Sequence, residues 1–123
     1  MEVSLNADWY EPGEGRMKRM AMVINVRPEK LDEYKRLHAD AWPEVLAALR
    51  RAHVRNYSIH LKDHTLFGYL EYHGEDWDSD MAVVAADPAT QRWWALTDPC
   101  QDPWPSRLPN EWWASMEQVF LME

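Results

Sequence analysis

The 123-residue chain has a single cysteine, Cys100, which excludes an internal disulfide and leaves no CxxC pair to hold a metal. Glycine is scarce as well: there are four, none at GxGxxG or GxxxxGK spacing, so the loops that cradle nucleotide phosphates are lacking. Positive charge is in deficit. Thirteen Lys and Arg face twenty-one Asp and Glu, and the net charge of −8 repels phosphate backbones and anionic lipid. Neither nucleic acid nor a membrane is expected as a partner. No apolar run approaches the roughly 20 residues of a spanning helix. Residues 1–15 carry acids where a signal peptide would have a basic end and an apolar centre, so a cytoplasmic protein is expected. The length fits one domain with a real core.

Aromatic rings, by contrast, are abundant. Eight tryptophans and five tyrosines supply flat amphipathic surfaces that serve cores, interfaces and sugar sites alike.

Residues 1–15 include Pro12, Gly13 and Gly15 and show no sustained period, which predicts a loose arm ahead of a domain spanning 16–123. From Arg16 to Val26 the chain turns apolar and reads as a central strand. Pro28, Glu29 and Asp32 suit a helix start, and Leu31, Tyr34, Leu37, His38 and Ala41 recur at helical spacing. Pro43 breaks that helix and begins another, with Val45, Leu46 and Leu49 on its apolar side. Asn56–Leu61 alternates, and Lys62-Asp63-His64 turns it back into Thr65–Tyr72, a hairpin in which Tyr57 should share the core face. Asp76–Ala86 and the stretch from Pro88 toward Leu96 are helical, Asp98–Pro109 holds four prolines and reads as a loop, and Met116–Met122 is β-compatible.

The order strand, helix, strand, strand, helix, strand predicts an α+β, ferredoxin-like (βαββαβ) fold, an antiparallel sheet with helices on one face. The other face, carrying Val23, Tyr57, Phe67, Tyr69 and Phe120 depending on register, needs a cover, and a homodimer is the expected one.

Tyr34, His38 and Trp42 are four apart, so a phenol and an imidazole project from one helix face. An imidazole can give or take protons near neutrality, and a phenol donates a hydrogen bond. The same spacing also suits a core His and Tyr. Five histidines raise the question of a metal, yet none lies in an HExxH or H-x-H pattern, and no metal is expected. Trp93 and Trp94 point about 100° apart on a helix, so the core needs at most one of them and the other is free to line a pocket or a dimer contact.

Tyr34-x3-His38-x3-Trp42-Pro43-Glu44, Asn56-Tyr57-x-Ile59, Gln91-Arg-Trp-Trp94 and Glu117-Gln-Val-Phe120 together resemble the L-rhamnose mutarotase family, in order, over roughly Arg16 to Met122. The resemblance implies a dimeric ferredoxin-like domain that interconverts the α and β anomers of L-rhamnopyranose, a reaction that needs no cofactor. It implies further that His38 is the proton donor, assisted by Tyr34, and that Tyr34, Tyr57, Trp93 and Trp94 contact the sugar. The chain departs from the pattern in the arm before Arg16, in Trp104, Trp112 and Trp113, and in Pro99–Pro105. The first two of these stand to reshape the pocket rim and so the sugar preference, L-fucose being an alternative 6-deoxy substrate. Two other readings keep the fold and change the role: a non-catalytic dimeric module that binds a small ligand, or a monooxygenase, for which the chain offers no redox centre.

Overall fold

A computed structural model describes residues 17–123; the arm expected over 1–15 lies outside them. The elements run β1 (Lys18–Val26), a 3-10 turn (Pro28–Lys30), α1 (Leu31–Ala39), α2 (Pro43–Arg51), β2 (Val54–Lys62), β3 (Thr65–Tyr72), α3 (Trp77–Ala86), α4 (Pro88–Thr97), a second 3-10 turn (Asp98–Cys100), β4 (Gln101–Asp102) and β5 (Ala114–Met116). Every strand pairing among the described residues is antiparallel, in the order β2-β3-β1-β4 with β5 also on β1, so β1 is central as expected.

Period-2 alternation places Met20, Met22, Ile24 and Val26 of β1 in the core, where they join Leu66, Leu70 and Tyr72 of β3, Tyr34 of α1 and Trp77, Met81 and Val84 of α3. Helices cover this face. A Cβ added to Gly68 on β3 would come within 3.0 Å of Met22 Cγ and 3.3 Å of Trp113, so the absent side chain leaves room for the methionine and indole above it. Aspartates begin the last two helices: Asp76 accepts from the Ser79 amide at 3.2 Å and Asp87 from the Thr90 amide at 2.9 Å.

Two local features shape the site. Trp42 is extended (φ −69°, ψ 130°) ahead of Pro43, which separates α1 from α2 where proline predicts the break. On β2 the register shifts between Arg55 and Ser58, and Asn56 takes φ 49° while its amide donates to Glu71 at 2.7 Å. That bulge reverses the parity of the strand. Val54 and Ile59, an odd number apart, thereby share the core face, and Tyr57 packs on the core with them.

Three expectations are corrected. The register pairs Val23 with Phe67 and Ala21 with Tyr69 on the face away from the helices, whereas Tyr57 lies on the helix side; Phe120 lies in no strand, though it lines a groove beside Ala21 and Tyr69. The final strand is Ala114–Met116; past it the chain pairs with no strand, and Val119 and Phe120 are 86% and 78% exposed. The proline-rich loop contains β4, because Gln101 and Asp102 fall between prolines and keep their amides for pairing with Val26 and Asn25.

Candidate active site

A cleft of about 650 Å³ opens between α1, α2, α4 and the bulged end of β2, and all five residues singled out in the sequence line it. Tyr34 and His38 come from successive turns of α1, Tyr57 from β2 just past the bulge, and Trp93 and Trp94 from α4. Among the described residues no group of three or more His, Cys, Asp or Glu is placed to hold a metal ion, and no helix is long and apolar enough to cross a membrane.

The helical spacing of Tyr34 and His38 stacks their rings, with centroids 4.2 Å apart and planes 29° apart. His38 Nδ1 lies 2.9 Å from the backbone carbonyl oxygen of Tyr34. A carbonyl oxygen can only accept, so Nδ1 carries the proton. Burial lowers the imidazole pKa from its ordinary value, and that hydrogen bond opposes the shift only in part. His38 is therefore neutral at pH 7, with the Nε2 lone pair on the opposite edge of a ring that lines the cleft. Such a nitrogen is a base first and an acid once it has taken a proton.

Both cleft phenols stay protonated. Burial drives the Tyr34 hydroxyl far up, with the neighbouring Tyr57 adding to the effect, and burial pushes Tyr57 up to about 12. The Tyr34 hydroxyl meets the Gln101 side-chain amide at 3.4 Å, and Gln101 Oε1 accepts from the Trp112 indole at 2.7 Å.

Trp93 and Trp94 divide their work as adjacent helical positions must. Trp93 is 6% exposed, packs on Val45 and Ala89, and sets ring edges against His38 and Trp42 with centroids 5.2 Å apart in each case. Trp94 is half-buried and lends its indole to the cleft wall. Trp42, four residues after His38, thus belongs to the support of Trp93.

Sequence reasoning missed Gln101 and Asp98. Gln101 sits in a four-proline segment without periodicity, and only the β4 pairing reveals that its side chain turns inward, 4% exposed. Asp98 lines the cleft one turn beyond Trp94, its amide bonded to the Trp94 carbonyl, and burial raises its carboxyl pKa. Of the tryptophans expected to reshape the rim, Trp112 lines the cleft and Trp113 is a core residue over Gly68 that also reaches it, whereas Trp104 does not line it.

The family model described as L-rhamnose mutarotase matches residues 19–122. L-rhamnose mutarotase of Oceanobacillus iheyensis is 40% identical over 85 residues, which cover 68% of this chain and 79% of that protein. The enzyme of the same name from Ligilactobacillus salivarius is 38% identical over 96 residues, covering 74% and 86%. Among solved structures, L-rhamnose mutarotase from Formosa agariphila superposes with a TM-score of 0.67 at 25% identity, over 86% of this chain and 99% of that one. Tetracenomycin F2 cyclase from Streptomyces glaucescens, at a TM-score of 0.65 and 12% identity over 85% and 96%, shares the fold alone. A match running from β1 to the end of the chain, together with relatives at this level of identity, establishes that the protein belongs to the L-rhamnose mutarotase family.

Proposed function

We propose that this protein is an L-rhamnose mutarotase in which His38 moves the proton that opens and closes the pyranose ring. The observation that carries the reading is the His38 ring in the cleft, stacked on Tyr34 at 4.2 Å, with Nδ1 held 2.9 Å from the Tyr34 carbonyl oxygen so that Nε2 is the nitrogen left for chemistry.

Mutarotation removes a proton from the anomeric hydroxyl, breaks the C1–O5 bond and protonates O5, giving the open aldehyde; rotation about C1–C2 and reversal close the other anomer. O1 and O5 are bonded to one carbon, so a single imidazole reaches both. His38 Nε2 takes the O1 proton as base and, as imidazolium, is the proton donor to O5. Tyr34 assists through its hydroxyl, Tyr57 offers a polar contact, and Trp94, backed by Trp93, lies against the C–H face and methyl group of the sugar. Help of this acid–base kind is worth about 10²–10⁴-fold. The steps are proton transfers and one C–O cleavage, for which side chains and water suffice. Anomer-exchange NMR on L-rhamnose with and without the protein tests the reading directly: no acceleration over buffer would end it and leave the cleft a binding site.

Two further results follow from the same geometry. The neutral imidazole is the active base, so activity falls as pH drops through its lowered pKa. The acid limb of catalysed kcat/KM should therefore lie below pH 6.5, the ordinary imidazole value. With both phenols raised, no alkaline loss is expected below about pH 10. An acid limb above 6.5 would contradict a buried His38 base. Substrate choice is the other result. L-mannose adds a 6-hydroxyl to L-rhamnose that an indole wall leaves without a partner, and its kcat/KM should be roughly tenfold lower. Equal values for the two sugars would remove Trp94 from the methyl contact. L-fucose keeps the methyl group and is not separated by that wall.

The uncovered sheet face exposes Phe67 and Met116, and the apolar tail beyond β5 exposes Val119 and Phe120. A second copy of the chain covers such a face, and light scattering should give twice the 14.6 kDa chain mass. A monomer at micromolar concentration would refute the dimer. The same reading takes residues 16–123 as the catalytic domain, 1–15 as an appended arm, and the cytoplasm, where a lone thiol such as Cys100 is at home, as its location.

A further inference from the structure

We infer that Trp112 and Gln101 form a directional hydrogen-bond relay that holds the Tyr34 hydroxyl as a donor toward the sugar. This rests on the mutarotase reading and assigns positioning roles to two residues outside the quoted family motif. The Trp112 indole has a donor and no acceptor. Its 2.7 Å contact with Gln101 therefore fixes Oε1 as the end facing Trp112, and the amide nitrogen is left facing Tyr34 at 3.4 Å. An amide NH2 carries hydrogens alone, so the phenol oxygen accepts and its own hydrogen is not used by Gln101. A phenolic O–H lies in the plane of its ring and has two positions. The amide occupies one of them, and the hydrogen takes the other.

The chemistry makes use of that polarity. As His38 Nε2 takes the proton from O1, the electrons of the C1–O5 bond pass to O5. A fixed O–H donor meets the growing negative charge there until the imidazolium proton completes the hydroxyl. Gln101 is 4% exposed on β4, so little water competes with it for this role. Without the indole N–H, its amide is free to turn over, present Oε1 to Tyr34 and draw the O–H inward, away from the sugar.

The test is a double-mutant cycle read by anomer exchange on L-rhamnose, per folded molecule. Trp112→Phe keeps an aromatic ring and removes the donor, and it should lower kcat about tenfold with KM changed by less than about twofold. Gln101→Glu, an acceptor at both oxygens, should do the same while the Trp112 contact persists, and it carries the test if Trp112→Phe does not fold. In a Tyr34→Phe background neither change should cost anything more, since the hydroxyl that the relay orients is gone. Additive losses, an unchanged kcat or an effect confined to KM would overturn the relay while an active wild type leaves the mutarotase reading standing. An inactive wild type would remove both.

Discussion

His38→Ala is expected to slow catalysed exchange between L-rhamnose anomers by about 10²-fold or more, some 3 kcal/mol of transition-state stabilisation, while the protein stays folded. The fold has little stake in this side chain. Its one side-chain hydrogen bond among the described residues runs to the carbonyl four residues back on its own helix, and the ring is half-buried. What alanine removes is the stacking on Tyr34 and the edge contact with Trp93, each worth about 1 kcal/mol, and the higher helix propensity of alanine offsets part of it. The void opens onto a cleft that water can enter. A core histidine would give the opposite pair of results, a lowered melting temperature and nearly full activity per folded molecule. Measuring exchange rate and thermal midpoint on one preparation separates the two, and a stably folded, fully active variant would end the role proposed for His38. Tyr34→Phe should cost less, because it removes one donor and leaves the proton carrier in place.

The sequence made α1 and its break legible for a simple physical reason: helical spacing and Pro43 are local signals, and they place Tyr34, His38 and Trp42 without any knowledge of the rest of the fold. The hairpin was legible in the same way, yet the bulge at Asn56 was not. A register shift belongs to two strands, and the alternation of Tyr57, Ile59 and Leu61 gives no hint that Val54 joins their face. Gln101 was illegible for a related reason. Its neighbours Pro99 and Pro103 mark a loop, and only β1, 75 residues earlier, supplies the edge on which two residues pair and turn one side chain into the cleft. The tail misled through its composition. Val119 and Phe120 are β-formers, but a strand needs an edge, and among the described residues β1 gives that edge to β4 and β5.

Adjacent tryptophans on one helix offer a sharp contrast in what substitution should do. Trp93→Ala is expected to cost about 3–5 kcal/mol of stability, a large share of the roughly 5–15 kcal/mol that holds a small domain together. The indole is nearly fully buried and touches both ends of the α1–α2 break, His38 on one side and Trp42 on the other, with Val45 and Ala89 beneath it. Its loss leaves a cavity that the proline-fixed start of α2 cannot readily collapse to fill. A thermal midpoint lower by about 10–20 °C should follow, with activity per folded molecule reduced as well, because the edge that positions the imidazole has gone. Trp94→Ala should behave differently. That ring is half-buried at the cleft wall, so its removal should cost about 1 kcal/mol of stability and appear chiefly as a raised KM for L-rhamnose. Thermal scans and exchange kinetics on the two variants give a two-by-two comparison. Equal losses of midpoint would deny that one indole serves the core and the other the sugar, and a KM effect confined to Trp93→Ala would reverse the two roles.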